Sequence, residues 1–187
     1  PPLSKELLQA RPDYTFPYIR PQEYYEEQNI ELRLGVAAAS IDAAGKTINL
    51  VDGETLAYDK LLLTTGGSVR KLAIPGAEAA GVHYLRTLED SAAIEAALSD
   101  GKNVVVIGGG FIGLEVAASA RQRGCNVTVL EIADRLMGRG VPPAVSDYFL
   151  DLHRSNGIDV RLNTGVEKIE GDVHATGVVT SAGETLP

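Results

Sequence analysis

Cysteine is nearly absent from this 187-residue sequence, which contains only Cys125. A single cysteine cannot form a disulfide framework within the chain, and no CxxC pair is available for zinc binding or redox chemistry. Long apolar runs are also missing: none approaches the roughly 18 residues that a membrane-spanning helix needs, and no signal peptide is visible. The plain interpretation is a cytoplasmic, reducing location.

Basic residues are outnumbered by acidic residues, 17 to 25, so the formal net charge is −8. Nucleic-acid-binding domains carry a basic stripe, and the excess of acid disfavours that class. Hydrophobic residues (44%) and charged residues (22%) occur in the proportions of an ordinary globular protein. The chain begins on Pro1 rather than Met and ends on Pro187, just after a hairpin-like "SAGET" stretch. We interpret both ends as cuts in a longer polypeptide.

The stretch "NVVVIGGGFIGLEVAA" joins an apolar strand to a helix through a glycine-rich loop. Gly108, Gly110 and Gly113 match the spacing G-x-G-x-x-G of dinucleotide-binding sites. In such loops the first glycine permits a tight turn, the second lets the backbone approach a pyrophosphate, and the third lets helix and strand pack closely. The N-terminus of the helix then offers free N–H groups to the phosphates. We therefore predict a cofactor site that includes Phe111 and Ile112; the alternative is a tight turn without a ligand.

An acidic residue, Glu131, ends the next strand and lies 18 residues after Gly113, close to the spacing of about 20 that such sites show. A carboxylate there accepts hydrogen bonds from ribose hydroxyls. It repels the 2′-phosphate of NADP by about 4 kcal/mol for unit charges 4 Å apart at an effective dielectric of 20. We therefore predict NAD(H). Two alternatives stay open: Arg135 or Arg139 pairs with a 2′-phosphate, or Glu131 simply ends an edge strand. We place Arg139 in the predicted cofactor site.

Other patterns predict the surrounding elements. "SKELLQA" (4–10) predicts a short helix capped by Ser4, and Thr87 with Asp90 predicts a capping box at the start of a longer helix. Alternation in "KTINLV" predicts a small antiparallel hairpin. The apolar stretch "YDKLLLTT" (58–65) predicts a buried strand of a parallel sheet.

Five stretches stand in the order of a known family: "PPLSK", "YDKLLLTTGGSVRKLAIPG", "HYLRTLEDS", "VVVIGGGFIGLEVAA" and "VTVLEIADRLMGR". Together they closely resemble the FAD-dependent pyridine nucleotide-disulfide oxidoreductases, specifically the ferredoxin, putidaredoxin and rubredoxin reductase group. The resemblance implies an α/β, Rossmann-like three-layer FAD/NAD(P)-binding fold with a small antiparallel β-meander. In that group the NAD domain is inserted into the FAD domain, which explains why the glycine loop comes so late in the chain.

This resemblance implies that residues 1–99 form part of an FAD-binding domain and residues 100–187 a C-terminally truncated NAD(H)-binding domain. The group also has its own glycine motif for the FAD pyrophosphate and a later Gly-Asp motif, and neither is in this sequence. We therefore do not expect this segment alone to hold FAD tightly.

The resemblance also implies which residues act in catalysis. Lys5 of "PPLSK" matches a lysine beside the flavin ring, where a cation favours the anionic reduced flavin; without the resemblance, a solvated lysine is the plainer interpretation. Glu115 matches a glutamate that faces the flavin, pairs with this lysine and holds the nicotinamide. We hypothesise a Lys5–Glu115 pair that swings to admit NADH.

A second set of residues matches the flavin-binding loop of the group. Thr64, Thr65 and Gly66 match a loop that passes near the flavin and its phosphates, although the group usually has alanine where this chain has Thr64. Arg70 matches an arginine that follows the loop, and an arginine on a surface turn is the alternative. The three histidines share no metal-ligand spacing, so we predict no metal site.

By this resemblance the full protein is an NAD(H)-dependent, FAD-containing oxidoreductase. Hydride would pass from C4 of the nicotinamide to N5 of the flavin, and single electrons would then pass to a ferredoxin or a rubredoxin, a small iron–sulfur protein. Three alternatives stay open: a thiol-using relative of the NADH oxidase, NADH peroxidase or coenzyme A-disulfide reductase type; a nucleotide sensor of the apoptosis-inducing-factor type; or an inactive fragment that holds neither cofactor. Thiol-using relatives have a cysteine roughly where this chain has Ser4 and Lys5, which argues against the first alternative.

Overall fold

The computed structural model describes residues 2–9 and 18–187. These residues form two compact units: residues 18–67 make the smaller unit, and residues 2–9 together with 68–187 make the larger one. The predicted domain boundary near residue 100 stays a prediction.

The smaller unit contains one helix and three strands: α1 (Gln22–Glu27), β1 (Ala38–Asp42), β2 (Thr47–Leu50) and β3 (Thr55–Ala57). The strands are antiparallel and hydrogen-bond in the order β1-β2-β3, as the alternating pattern predicts. The carboxylate of Asp42 accepts hydrogen bonds from the N–H groups of Ala44 and Gly45, at 3.0 and 2.9 Å. These bonds close the turn between β1 and β2 in the way that aspartate commonly does.

The prediction of a buried strand over residues 58–65 is wrong for this structure. Those residues have no strand assignment, and the side chains of Leu62 and Leu63 are 83% and 62% exposed. A strand forms only where a neighbouring strand satisfies its N–H and C=O groups, and no described strand pairs with this segment. An apolar run by itself does not supply that neighbour.

The larger unit is built on a parallel sheet with helical crossovers. Its elements are β4 (Asn103–Ile107), α3 (Phe111–Gln122), β5 (Asn126–Leu130), α4 (Pro143–Ser155) and β6 (Asp159–Arg161). The strands pair in the order β4-β5-β6. Parallel crossovers are right-handed, so α3 and α4 lie on the same face of the sheet. Nε2 of His153 on α4 lies 3.3 Å from the carbonyl oxygen of Leu114 on α3, which joins the two helices directly.

A second sheet in the larger unit is a three-stranded antiparallel meander. It consists of β7 (Val166–Glu170), β8 (Gly177–Thr180) and β9 (Thr185–Leu186), hydrogen-bonded in the order β7-β8-β9. Together with the parallel sheet and its helices, this confirms the predicted α/β, Rossmann-like fold class.

A capped helix, α2 (Leu88–Ala97), precedes the parallel sheet. The side chain of Thr87 accepts a hydrogen bond from the N–H of Asp90, at 3.2 Å, and the N–H of Thr87 donates to the Asp90 carboxylate, at 2.8 Å. The predicted capping box is therefore confirmed, with aspartate in place of the more usual glutamate.

The first described residues form turns rather than the predicted helix over 4–10. A single 3₁₀ turn covers Pro2–Ser4, and further turns continue to residue 9; residue 10 lies outside the described residues. Ser4 does not cap a helix. Its hydroxyl donates to the carboxylate of Glu115, at 2.5 Å, and a hydrogen bond to an ionised acceptor is stronger than one between neutral groups.

The core of the larger unit lies between the parallel sheet and the helices on its face. The buried apolar side chains of this core come from the first turn, from α2, α3, β5, β6 and the loops between them: Leu8, Ile94, Leu98, Leu114, Ala117, Ala120, Cys125, Val127, Val129, Leu136, Met137, Ile158 and Val160. Burial of this set against the sheet holds α3, and with it the glycine loop, in one position. In the described part of the chain, no helix is long and apolar enough to cross a membrane.

Candidate dinucleotide site

The glycine loop connects the carboxyl end of β4 to the amino end of α3. The N–H of Gly108 donates to the carbonyl of Leu130 on β5, at 2.8 Å, so the loop begins as a continuation of the sheet. Gly110 is the N-cap of α3, and its carbonyl accepts from the N–H of Leu114, at 3.0 Å. The first N–H groups of a helix have no partner within the helix, and here they face the crevice beyond the carboxyl ends of the strands, where open α/β sheets bind ligands.

Glycine is favoured at each of the three motif positions for a different physical reason. Gly108 has φ +108°, a conformation that L side chains rarely adopt. Gly110 has no described atom within 4 Å of the place where a Cβ would stand, so a ligand can approach the backbone there. A Cβ on Gly113 would lie 2.1 Å from the carbonyl oxygen of Gly108, so only glycine lets α3 pack this closely on the loop. These are the three roles that the motif predicts.

Glu131 faces the loop and is hydrogen-bonded to it. One carboxylate oxygen accepts from the N–H of Gly109, at 2.7 Å, and the other accepts from the N–H of Ala133, at 2.8 Å. Each oxygen of an ionised carboxylate has a second lone-pair site, so the same group can also accept ribose hydroxyls. The carboxylate therefore lies in the crevice beside the glycine loop, as the predicted role requires.

Gly109 is a structural part of the site that the motif does not single out. A Cβ on it would lie 2.5 Å from Cδ2 of Leu136 and 3.2 Å from a carboxylate oxygen of Glu131. Its carbonyl accepts from the N–H of Met137, at 2.9 Å. Gly109 thus connects the loop to the segment that follows β5. The only signal in the sequence is the uninterrupted run of three glycines.

The two arginines after Glu131 differ in availability. Arg135 donates to the carbonyl oxygens of Val141, at 2.8 Å, and of Gly138, and to the hydroxyl of Ser146, at 3.1 Å. It is used to build the loop between β5 and α4, which disfavours the alternative in which it pairs with a 2′-phosphate. Arg139 is exposed and remains the arginine of this loop that can reach a ligand.

Large apolar side chains around the glycine loop are exposed. Phe111 and Ile112, at the start of α3, are 56% and 53% exposed, and Ile132, next to Glu131, is 78% exposed. Apolar side chains that stay exposed beside a polar loop can form part of a ligand-binding surface. The flat faces of an adenine or a nicotinamide are the apolar parts of a dinucleotide that these side chains can cover.

The hypothesised ion pair between Lys5 and Glu115 is present. Nζ of Lys5 lies 3.1 Å from Oε1 of Glu115, and the two side chains are 43% and 22% exposed. An ion pair this accessible contributes about 0–1 kcal/mol to stability, so its importance lies in where it places the two charges. Glu115 is in the second turn of α3, directly after the glycine loop, and the pair therefore stands beside the candidate dinucleotide site. The catalytic roles of both residues stay predictions.

The predicted flavin-loop residues are divided between the two units. Thr64, Thr65 and Gly66 are exposed and belong to the smaller unit, whereas Arg70 is exposed on the larger one. Their part in cofactor binding stays a prediction. In residues 2–9 and 18–187, no group of three or more His, Cys, Asp or Glu side chains is placed to hold a metal ion.

A depression of about 340 Å³ lies at the opposite end of the parallel sheet. Residues at the amino ends of β4 and β5, with Gly157 and the last two residues, line it. Ligands of open α/β sheets bind at the carboxyl ends of the strands, so this depression is not the candidate site.

Comparison with known proteins places the chain in a family. The profile of the pyridine nucleotide-disulphide oxidoreductases matches residues 1–187. Rhodocoxin reductase of Rhodococcus erythropolis is 41% identical over 187 residues, which are 100% of this chain and 44% of the relative. The ferredoxin–NAD(+) reductase component of the p-cumate 2,3-dioxygenase system of Pseudomonas putida is 46% identical over 173 residues, which are 92% of this chain and 42% of the relative. The chain thus spans slightly under half the length of these relatives.

Solved structures that resemble this chain are also reductases. The ferredoxin reductase for the CYP199A2 system from Rhodopseudomonas palustris is 42% identical and superposes with a TM-score of 0.93 over 100% of this chain and 46% of its own. The covalent putidaredoxin reductase–putidaredoxin complex is 39% identical, with a TM-score of 0.92 over 100% of this chain and 46% of that chain.

Proposed function

Because the chain belongs to the pyridine nucleotide-disulphide oxidoreductase family, we propose that the full protein is an NADH-dependent, FAD-containing reductase. It takes hydride from NADH and passes single electrons to a small iron–sulfur protein, a ferredoxin or a rubredoxin. Relatives 38–46% identical to this chain are ferredoxin or rubredoxin reductases by name.

One observation carries the NADH part of the proposal. The carboxylate of Glu131 is held against the loop by the N–H of Gly109, while the backbone at Gly110 is open. The arrangement offers a negative acceptor for ribose hydroxyls and an uncovered helix N-terminus for a pyrophosphate. A dinucleotide fits this combination, and a 2′-phosphate beside Glu131 does not.

In this proposal, residues of the chain bind the dinucleotide, orient it and place charges beside it. The glycine loop and the start of α3 would hold the pyrophosphate, and Glu131 would hold the adenosine ribose. Lys5 places a positive charge, and Glu115 a negative charge, beside the site. When bound, FAD supplies the conversion of a two-electron hydride into single electrons. The protein supplies positioning, which can account for several orders of magnitude in rate.

A thiol-using reaction is disfavoured by the single cysteine. Cys125 is fully buried, and its Sγ lies 3.2 Å from the carbonyl oxygen of Ser99. Reactive cysteines are accessible and lie in electropositive surroundings, whereas this thiol acts as a small core side chain. We include a cytoplasmic location in the proposal, because a single buried thiol suits a reducing compartment.

The test uses the full-length protein. We expect it to purify yellow, and its flavin to bleach on addition of NADH under anaerobic conditions but not on addition of NADPH at the same concentration. The NADH-reduced protein should then reduce a purified ferredoxin or rubredoxin. A flavin that NADPH bleaches equally fast would refute the choice of NADH, and a reduced flavin that transfers no electrons to either acceptor would favour the sensor alternative.

Substitution of Glu115 tests the site itself. We expect Glu115→Ala to slow the reduction of the flavin by NADH, because the group proposed to hold the nicotinamide is removed. Glu167→Ala is the matched control, since Glu167 is an exposed carboxylate on β7. Equal rates in the wild type and in Glu115→Ala would exclude the proposed role.

A further inference from the structure

The carboxylate of Glu115 has two different donors, one on each oxygen. Lys5 contacts Oε1 at 3.1 Å, and the hydroxyl of Ser4 donates to Oε2 at 2.5 Å. The two donors are consecutive residues, so one turn of the chain holds both ends of the carboxylate. The ion pair is therefore only half of what orients this group.

The two donors differ in rigidity. The side chain of Lys5 is 43% exposed and carries its charge on a flexible four-carbon stem, so it leaves the carboxylate free to turn. Ser4 is only 2% exposed, and its short side chain has a single rotatable bond to its hydroxyl. The last torsion angle of a glutamate side chain has a broad distribution. A hydrogen bond from a buried hydroxyl to one carboxylate oxygen restricts this torsion angle more than an ion pair with a mobile ammonium does.

The backbone that carries Ser4 is itself anchored by two buried serines. The hydroxyl of Ser119 on α3 donates to the carbonyl of Ser4, at 2.9 Å, and the hydroxyl of Ser91 on α2 donates to the carbonyl of Leu3, at 2.7 Å. Ser119 and Ser91 are each 1% exposed. Two helices thus fix the main chain on both sides of the Ser4 side chain, and Ser4 becomes a rigid donor rather than an adaptable one.

From this geometry we propose that Ser4 is a positioning residue for Glu115. Its hydroxyl sets the plane of the Glu115 carboxylate, so that one oxygen stays directed at Lys5 and the other at Ser4. This inference rests on the proposed function, in which Glu115 orients the nicotinamide for hydride transfer. Ser4 does not touch the nicotinamide; it acts through Glu115.

The main test measures flavin reduction by NADH in single turnovers of the full-length, FAD-loaded protein. We expect Ser4→Ala to lower the limiting reduction rate about tenfold, which corresponds to about 1.4 kcal/mol and to the lower end of the worth of a hydrogen bond to a charged group. The apparent Kd of NADH should change less than twofold, because the alanine removes orientation rather than a contact with the dinucleotide. An unchanged rate, or a loss seen only in Kd, would overturn the proposal.

Ser91→Ala is the matched control. It removes the same hydroxyl from an equally buried serine that anchors the same turn, but that hydroxyl does not reach Glu115. In Ser91→Ala the hydroxyl of Ser119 still holds the carbonyl of Ser4 itself, so the Ser4 hydroxyl keeps its place. We therefore expect the reduction rate of Ser91→Ala to stay within about twofold of the wild type while its thermal stability falls as much as that of Ser4→Ala. If Ser91→Ala slows reduction as much as Ser4→Ala does, the effect belongs to the turn as a whole and the proposal is wrong.

Two further measurements separate the roles. The double variant Ser4→Ala/Glu115→Gln should be no slower than Glu115→Gln alone; additive losses would mean that Ser4 acts by another route. A double-mutant cycle on unfolding should show that the coupling between Lys5 and Glu115 falls by at least half when Ser4 is alanine. If the wild type does not reduce its flavin with NADH, the proposed function fails while this cycle still decides the positioning role, and an undiminished coupling would reject it.

Discussion

Replacing Gly110 with alanine separates the ligand-binding role of the glycine loop from its structural role. Gly110 has φ −82° and ψ −179°, a conformation open to any residue, and no described atom lies within 4 Å of an added Cβ. The variant should fold normally. Loss of a glycine N-cap and the lower entropy of the unfolded chain act in opposite directions, so the free energy of unfolding should change by less than about 1 kcal/mol.

We expect the Gly110→Ala substitution to weaken the binding of the dinucleotide. The added methyl group occupies the space through which a pyrophosphate approaches the N–H groups of α3. We expect the Kd for NAD⁺ to rise at least tenfold, or about 1.4 kcal/mol. Calorimetric titration of the oxidised, FAD-loaded protein measures this directly, because NAD⁺ cannot reduce the flavin. Unweakened binding of NAD⁺ to a normally folded Gly110→Ala protein would refute the assignment of this loop.

Gly113→Ala is the comparison variant. We expect it to lower the stability of the fold, because the added methyl group meets the protein itself rather than the ligand. Its Cβ would stand 2.1 Å from the carbonyl oxygen of Gly108, whereas a carbon and an oxygen in contact lie about 3.3 Å apart. The helix must therefore move away from the loop by about 1.2 Å, which costs about 1–3 kcal/mol of stability or more. A displacement of this size can also lower catalysis about a hundredfold. A Gly113→Ala protein as stable as Gly110→Ala would contradict the packing role.

Two further predictions concern charge. Glu131→Gln should lower the NADH-over-NADPH ratio of kcat/KM for flavin reduction at least tenfold, because a third of the roughly 4 kcal/mol repulsion of a 2′-phosphate suffices for that factor; an unchanged ratio would remove Glu131 from the selectivity of the site. The N–H groups of Thr87 and Arg86 hold the pKa of the Asp90 carboxyl below its ordinary range. Its contribution to stability is therefore complete above about pH 4 and lost as the pH falls through the lowered value. The urea midpoint should fall over that acidic range, less steeply in Asp90→Asn, and identical slopes for the two proteins would show that the capping box does not titrate.

The chemistry of the loop could be predicted from the sequence because its determinants are local. Strand, glycine spacing and the acidic end of the next strand lie within one continuous segment, and the roles of Gly108, Gly110 and Gly113 follow from backbone sterics that do not depend on distant residues. The capping box at Thr87 is local in the same sense. Lys5 and Glu115 are far apart in the chain, and their pairing was expected only from family resemblance.

Tertiary structure decided what local patterns could not. Residues 58–65 have the composition of a buried strand, yet a strand depends on a neighbour that lies elsewhere in the chain. The first arginine after Glu131 in the sequence, Arg135, donates its hydrogen bonds to carbonyl oxygens of its own loop. The sequence alone could not show that Arg135 is engaged in its own loop while Arg139 is exposed.

Ser4 shows the division most clearly. By itself the sequence determined an α/β chain with a glycine loop between a strand and a helix and an acid at the end of the next strand, because short-range hydrogen bonding and periodicity are encoded residue by residue. Ser4 has the local pattern of a helix cap, but its partner is 111 positions away in the chain. Only the packing of the first turn against α2 and α3 could bring the two together, because a long-range contact depends on how buried surfaces fit rather than on the residues adjacent in sequence.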